Sequence, residues 1–198
     1  MKETHLRDMS WKILSSEYLI RRPWLTARRD RAQLPDGRIH EEYYVLEYPS
    51  WINVIAITTE GDMVMVRQYR HGIGRTCIEL VAGVVEKDEE PLHAAQRELL
   101  EETGFGGGQW RQLLKLAPNA GAMNNYAYCF LATGVSRLAD TQHLDANEDV
   151  EVHVLPQEEV RQMLDSGEIF QAQMVAPLLK YFYADQQQAS SKGPSALT

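Results

Sequence analysis

The sequence has little of what marks several large classes of protein. Its 198 residues include only two cysteines, Cys77 and Cys129, and both lie in apolar segments, CIEL and YCFL. This argues against a disulfide-rich secreted scaffold and favours two buried thiols in the reducing cytoplasm. No run of about 18 apolar residues is present, and MKETHLRDMS at the N-terminus lacks an apolar signal segment, so we expect neither a membrane span nor an export signal.

The chain also has no excess of positive charge. It carries 28 acidic and 20 basic residues, for a formal net charge of -8. Such a balance provides no general basic surface for nucleic acid or for an anionic membrane. An anionic small molecule would therefore need a metal ion or a local cationic patch. The six histidines show no metal-ligand spacing among themselves.

The pattern of apolar residues predicts an α+β fold with a small N-terminal β-hairpin subdomain. Segments of alternating character flank the turn LPDG and predict an antiparallel hairpin, and a second, more buried hairpin flanks TEGD. Further strands and helices are predicted from apolar runs, prolines and glycines. The predicted strands are 24–33, 38–48, 51–58, 63–70, 76–86, 110–117, 125–133 and 150–155, and two of the predicted helices are 156–167 and 170–187.

We divide the chain into three parts on this basis. Residues 1–49 form the N-terminal β subdomain, and residues 50–185 form the main domain. The last part, 186–198, is low in hydrophobicity and is predicted to be a flexible tail.

The stretch GVVEKDEEPLHAAQRELLEETGF, residues 83–105, predicts a further helix that is rich in carboxylates. Pro91 suits the first turn of this helix, and Gly104 suits its end. At 100° per residue, Leu92, Ala95 and Leu99 share one face, which is expected to be buried.

Two rows of side chains, each spaced four residues apart, run beside that face. Arg97 and Glu101 neutralise each other, whereas Glu98 and Glu102 have no cation of their own. Repulsion and desolvation would penalise these two carboxylates at the rim of a core, and a divalent cation would remove that penalty. Magnesium prefers such oxygen ligands and commonly binds together with substrate phosphates. The alternative is an ordinary solvated, acid-rich helix face.

The spacing of the whole stretch resembles the Nudix pattern G-x5-E-x7-R-E-U-x-E-E-x-G-U, where U is apolar. Every fixed position is matched, by Gly83, Glu89, Arg97, Glu98, Leu99, Glu101, Glu102, Gly104 and Phe105. Chance agreement would be on the order of one window in 10⁸. Resemblance to a Nudix hydrolase implies an α/β/α sandwich around a mixed sheet, and hydrolysis of a nucleoside diphosphate linked to another group.

The resemblance also implies roles for individual residues of this stretch. It implies bound Mg²⁺, with Mn²⁺ as the alternative, held by carboxylates and one backbone carbonyl. Such ions stabilise the charge that develops when water attacks a diphosphate. The implied ligands are Ala82, Glu98, Glu101 and Glu102, with Glu101 either a ligand or an outer catalytic carboxylate, and Glu89 and Arg97 form an ion pair that braces the preceding loop.

Outside this stretch, VRQYR and IELVAGVVE are similar to the ADP-ribose and nucleotide sugar pyrophosphatase branch, and the similarity extends loosely over 15–180. Arg70 matches an arginine that this branch directs at the substrate phosphates; the alternative is a strand-end arginine in solvent. Glu148, in LDANEDVEVHVLP, matches the loop glutamate that serves as catalytic base, with Asp149 and Glu151 as further candidates. The alternative for this loop is a solvated turn.

Aromatic residues of the N-terminal subdomain match the part of such enzymes that binds adenine. Trp24 lies where relatives stack an aromatic ring on the base, often across a dimer interface, and Tyr43 or Tyr44 would form the second wall. The alternative for Trp24 is packing between the hairpin and the main domain. The resemblance further implies a homodimer in which the N-terminal hairpins cross over.

The main interpretation is a magnesium-dependent hydrolase that converts ADP-ribose or a related nucleoside diphosphate sugar to a nucleoside monophosphate and a sugar phosphate. Alternatives are a GDP-mannose or broad nucleotide sugar pyrophosphatase, and a triphosphate-cleaving enzyme, which the extension at 10–48 disfavours. A third alternative, from a different class, is a regulator that binds a nucleotide sugar without cleaving it. The intact set Glu98, Glu101 and Glu102 argues against that class.

Overall fold

The structure is a computed structural model that describes residues 6–144 and 148–184. The described residues form two compact units. The first contains the chain up to Tyr48 together with Asn119–Asn125, and the second contains the remainder. The tail predicted at 186–198 lies outside the described residues.

The first unit is built on an antiparallel sheet with the order β1-β2-β3. Its strands are β1 (Lys12–Arg22), β2 (Leu25–Gln33) and β3 (Ile39–Glu47). The predicted hairpin is present as β2 and β3, but the expectation of a hairpin alone is incomplete because β1 adds a third strand. Two register shifts in the pairing of β1 with β2 interrupt the alternation of side chains along β1, so the sequence pattern did not predict this strand.

The second unit contains one mixed sheet with the order β11-β5-β4-β10-β8, in which β6 pairs with β5, β7 with β4 and β9 with β10. Strands β4 and β10 are parallel, and the other pairs are antiparallel. The bounds are β4 (Trp51–Thr58), β5 (Met63–Arg70), β6 (Arg75–Glu79), β7 (Val81–Val84), β8 (Phe105–Gly106), β9 (Gln109–Leu116), β10 (Ala127–Arg137) and β11 (Val150–Leu155). The predicted mixed sheet is confirmed.

The segment 76–86, predicted as one strand, is two strands. The chain changes partner at the fully buried Leu80, so that β6 lies against β5 and β7 lies against β4. Glu79 therefore ends the strand beside β5, whereas Ala82 and Gly83 lie beside β4.

Helices cover both faces of this sheet. They are α1 (Pro91–Thr103), α2 (Gln157–Ser166) and α3 (Ala172–Leu179), and a π-helical turn, Lys180–Ala184, follows α3. Alternate residues of β4 pack toward opposite layers, Ile52 with α1 and Ile55 with α2 and α3. This alternation places the sheet in the middle of an α/β/α sandwich, as the resemblance implied.

Helix α1 begins and ends at the predicted residues. Pro91 occupies the first turn, and Gly104 adopts a left-handed conformation (φ 72°) and donates its N–H to the Leu100 carbonyl. The predicted buried face is wrong for Leu92, which is 37% exposed because it lies in the first turn, before the segment that packs on the sheet. Among the described residues, no helix is long and apolar enough to cross a membrane.

Candidate functional site

Glu102 lies in the last turn of α1, and its carboxyl group is almost fully removed from water. The residue is 4% exposed, and its Oε2 has no hydrogen-bond partner among the described residues. Burial, followed by repulsion from Glu98 and Glu148, raises the pKa of Glu102 to about 8, while Arg70 and a hydrogen bond from the Ala82 N–H act in the opposite direction. A carboxylate in this place therefore requires a cation nearby.

Glu98 lies one turn earlier on α1 and is similarly placed, with a side chain 14% exposed. Burial is the largest cause that raises the pKa of Glu98, and Arg97 lowers it. Gly83 of β7 faces this side chain so closely that a Cβ at that position would overlap the Glu98 carboxyl group. The glycine therefore gives the carboxylate its place against the strand. We call Glu98 and Glu102 the carboxylate pair.

The guanidinium of Arg97 joins the carboxylates of α1 to the loop before the helix. Its Nε donates to Glu89 at 3.0 Å, and its Nη2 donates to Glu89 at 3.0 Å and to the Val84 carbonyl at 3.1 Å. Its Nη1 donates to Glu98 at 2.8 Å and to Glu101 at 3.0 Å. The expectation that the carboxylate pair has no cation of its own is therefore wrong for Glu98, because one planar fork with five donors reaches three carboxylates.

The loop after β10 is held by the C-terminal end of α1. The Gln142 side chain donates to the Glu102 carbonyl at 2.5 Å and to the Val150 carbonyl at 3.1 Å, which joins α1 to the start of β11. The His143 N–H donates to the Glu101 carbonyl at 2.8 Å. Sequence reasoning missed Gln142, because a lone glutamine in a loop belongs to no motif.

The candidate bases follow this loop. Glu148 is exposed, and its charge raises the pKa of both members of the carboxylate pair, so it lies within electrostatic range of both. Asp149 is also exposed. Glu151 accepts a hydrogen bond from Arg67 at 2.8 Å. It points to the face of β11 opposite to that of Val150, which packs in the α1 layer, and this separates Glu151 from the pair.

Arg70 ends β5, and its side chain is 39% exposed. Its Nη2 donates to Glu79 at 2.6 Å and its Nε donates to the same carboxylate at 2.9 Å. Glu79 is fully buried and also accepts a hydrogen bond from Gln171 at 2.9 Å. Arg70 lowers the pKa of Glu102, and it alternates with Val64 and Val66 of β5, which pack in the α1 layer, so it lies on the side of the sheet where the carboxylate pair lies. Sequence reasoning missed Glu79, although a carboxylate inside the apolar run CIELVAG could have been found.

Trp24 and Tyr43 belong to the first unit. Trp24 lies in the turn between β1 and β2 and is 75% exposed. Tyr43 donates its hydroxyl to the Gly121 carbonyl at 2.6 Å, and its ring meets Trp11 edge-on at 5.8 Å between centroids. Tyr44 donates its hydroxyl to Glu42 at 2.8 Å.

The donor set of the second unit suits a divalent cation that prefers oxygen. Glu102 of the carboxylate pair has a buried oxygen with no hydrogen-bond partner among the described residues, and Ala82 lies beside Gly83 on β7. In the described parts of the chain, no three acidic, histidine or cysteine side chains are already arranged to hold a metal. Magnesium does not require three, because it usually retains several waters and needs only one or two carboxylates.

Gly83→Ala is expected to lower kcat/KM about a hundredfold. The new Cβ would displace the Glu98 carboxyl group, and a shift of about 1 Å near the reacting groups can cost that much. Steady-state kinetics with a melting curve measures both activity and folding. Gly72→Ala is the matched control, because a Cβ there meets nothing within 4 Å. Equal activity of the two variants would show that the position of Glu98 does not matter.

Comparisons with known proteins agree with this geometry. The NUDIX domain family model matches residues 49–178, and a nucleoside diphosphate sugar hydrolase N-terminal domain matches residues 11–46. The ADP-ribose pyrophosphatase of Bacillus subtilis is 29% identical over 84% of this chain and 90% of its own. That of Mycobacterium tuberculosis is 30% identical over 88% of this chain and 84% of its own.

A solved structure of an ADP compounds hydrolase has the same fold. It superposes with a TM-score of 0.78 and covers 95% of this chain and 99% of its own, at 19% sequence identity. The NUDIX match spans more than half of the 198 residues and includes all of the motif at 83–105. The chain therefore belongs to the Nudix hydrolase family.

Proposed function

We propose that the protein hydrolyses the diphosphate linkage of ADP-ribose or a related nucleoside diphosphate sugar, giving a nucleoside monophosphate and a sugar phosphate. The observation that carries this proposal is the desolvated carboxylate pair on the Nudix helix, with Arg70 on the same side of the sheet. Carboxylates that need a cation can hold a metal ion, and the planar guanidinium of Arg70 can bind phosphate oxygens, so together they suit a metal-bound diphosphate. The two ADP-ribose pyrophosphatases and the N-terminal family match support the substrate class.

Nudix enzymes generally depend on a divalent metal, and we assign Mg²⁺ to this chain, with Mn²⁺ as the alternative. Glu98, Glu102 and the Ala82 carbonyl would hold it, with Glu101 as a ligand or outer carboxylate. When bound, such a metal stabilises charge on the diphosphate oxygens and lowers the pKa of water. Arg97 holds Glu98 by a hydrogen bond of 2.8 Å and so fixes its orientation.

The remaining roles belong to side chains around the pair. Glu148 accepts the proton of the attacking water, since its exposed carboxylate lies near both members of the pair. Arg70 binds a phosphate oxygen through Nη1, which has no hydrogen-bond partner among the described residues. The leaving group is a phosphate monoester, which departs as an anion and needs no general acid.

The first unit would complete the enzyme by binding the base and a second copy of the chain. Trp24 is exposed enough to stack on adenine, with Tyr43 or Tyr44 as the second wall. All eleven residues of β1 are exposed, and they include Ile13 at 55% exposure, which suits a homodimer through this sheet. Light scattering is expected to give the mass of two 22.6 kDa chains. The mass of one chain would exclude the dimer.

The test of the proposed function is a product assay with magnesium and a panel of ADP-ribose, ADP-glucose, GDP-mannose, UDP-glucose and nucleoside triphosphates. Cleavage of ADP-ribose above the other compounds is the expected result. Broad cleavage, or a preference for GDP-mannose, would keep the reaction and change the substrate. Failure to cleave any diphosphate with magnesium or manganese would refute the proposal and favour a regulator that only binds nucleotide sugars.

A further inference from the structure

We infer that Glu79 is a positioning residue, which holds the guanidinium of Arg70 toward the substrate diphosphate and is itself held by Gln171. This inference rests on the proposed function and adds to it a carboxylate outside the Nudix motif. It also gives helix α3 a part in the site, because Gln171 directly precedes that helix.

The geometry around Glu79 is that of a two-point contact. Its Oε1 accepts from Arg70 Nε at 2.9 Å, and its Oε2 accepts from Arg70 Nη2 at 2.6 Å. Gln171 Nε2 donates to Oε1 at 2.9 Å, and Gln68 Nε2 approaches Oε2 at 3.5 Å. Two parallel bonds between planar groups fix the orientation of the guanidinium as well as its position.

Glu79 and Arg70 differ in side-chain exposure, and the difference shows which of the two can face a ligand. The Glu79 side chain is 0% exposed and that of Arg70 is 39% exposed. The buried carboxylate thus binds the Nε and Nη2 edge of the guanidinium, and Nη1, which bonds to none of the described residues, keeps its donors for a ligand. Arg70 alternates with Val64 and Val66 of β5, which pack in the α1 layer, so its side chain lies on the side of the sheet that carries the carboxylate pair.

A purely structural role explains this pair less well. Burying a carboxylate is expensive, and buried ion pairs can often be replaced by apolar residues without loss of stability. Gln171 adds a further cost, because its Nε2 donates to Glu79 while its buried Oε1 has no hydrogen-bond partner in the part of the chain that the structure describes. These costs are understandable if the arrangement serves to orient Arg70.

The segment that supplies Gln171 is also fixed to the strand that supplies Glu79. The guanidinium of Arg75, the first residue of β6, stacks over the ring of Phe170 at 4.6 Å. Glu79, the last residue of β6, binds Gln171. The link between α2 and α3 therefore meets β6 at both ends of the strand, and Gln171 has a fixed position from which to hold Glu79.

The test is a double-mutant cycle on hydrolysis of ADP-ribose with magnesium, using Glu79→Gln, Arg70→Ala and the double variant. Glu79→Gln is expected to raise KM about tenfold or more and to change kcat less, because Arg70 binds phosphate before and during the reaction. In the Arg70→Ala background, Glu79→Gln should have no further effect. Arg67→Gln, which removes another ion pair of β5, is the control and should leave kcat and KM unchanged.

Gln171→Leu provides a second route, because it removes the donor to Glu79 and keeps both charges. Like Glu79→Gln, it should raise KM, by severalfold. If Glu79→Gln does not fold, the KM of Gln171→Leu decides whether the inference holds. The inference would be overturned if the effects of Glu79→Gln and Arg70→Ala multiplied in the double variant. It would also be overturned if Glu79→Gln and Gln171→Leu both had the KM of the wild type. Either result would leave the proposed function intact. A wild-type protein that cleaves no diphosphate would overturn the proposed function, and the inference with it.

Discussion

Glu102→Gln is expected to lower kcat for ADP-ribose about a thousandfold and to leave the fold intact. The glutamine has nearly the same shape but no charge, so it keeps the packing and loses the affinity for a cation. Removal of one electrostatic group from a catalytic site typically costs about 10²- to 10³-fold, and a metal ligand belongs at the upper end of that range. Initial rates at saturating substrate and metal would measure the effect.

A second measurement separates loss of the metal from loss of the fold. Magnesium should raise the melting temperature of the wild type, because it binds the folded carboxylate pair, and should raise that of Glu102→Gln much less. Glu158→Gln is the matched control, since it makes the same change at an exposed residue of α2 and should retain both turnover and the magnesium effect. Near-normal turnover of Glu102→Gln would refute its assignment as a metal ligand.

The sequence predicted the local part of this site because helix geometry is set by spacing. Residues 98 and 102 must lie on one side of any helix that contains both, so the carboxylate pair is readable without a structure. The same is true of the ends of α1, where Pro91 and Gly104 have strong positional preferences. What the spacing did not give was the reach of Arg97, whose long side chain also binds Glu98.

The non-local part could not be predicted, because it depends on strand register and on loops. Glu79 and Gln171 are 92 positions apart and meet only after β6 and α3 have packed. The sequence did not show the change of partner at Leu80, because only this one residue separates β6 from β7. The side-chain hydrogen bonds of Gln142 could not be predicted for a different reason. Both acceptors are backbone carbonyls, which every residue has, so no residue type in the sequence indicates them.

In the absence of metal, the wild-type protein is expected to become less stable as pH rises from about 5 to about 8. Burial raises the pKa of Glu102 from 4.5 to about 8. Between these values, the folded protein retains a proton that the unfolded chain has released, so the free energy of unfolding falls by about 1.4 kcal/mol per pH unit. Above about pH 8, both states have lost the proton, and the decline should stop.

Urea denaturation of protein treated with a chelator, at several pH values, would measure this dependence. The difference between wild type and Glu102→Gln isolates the contribution of Glu102, because groups that both proteins share largely cancel. The glutamine variant should be the more stable of the two near pH 8, and parallel curves would contradict a buried, protonated Glu102. Magnesium binds the carboxylate form, so it should oppose the loss of stability in the wild type and should stabilise the variant much less. One side chain would then explain both the instability of the metal-free protein at high pH and its dependence on a divalent cation.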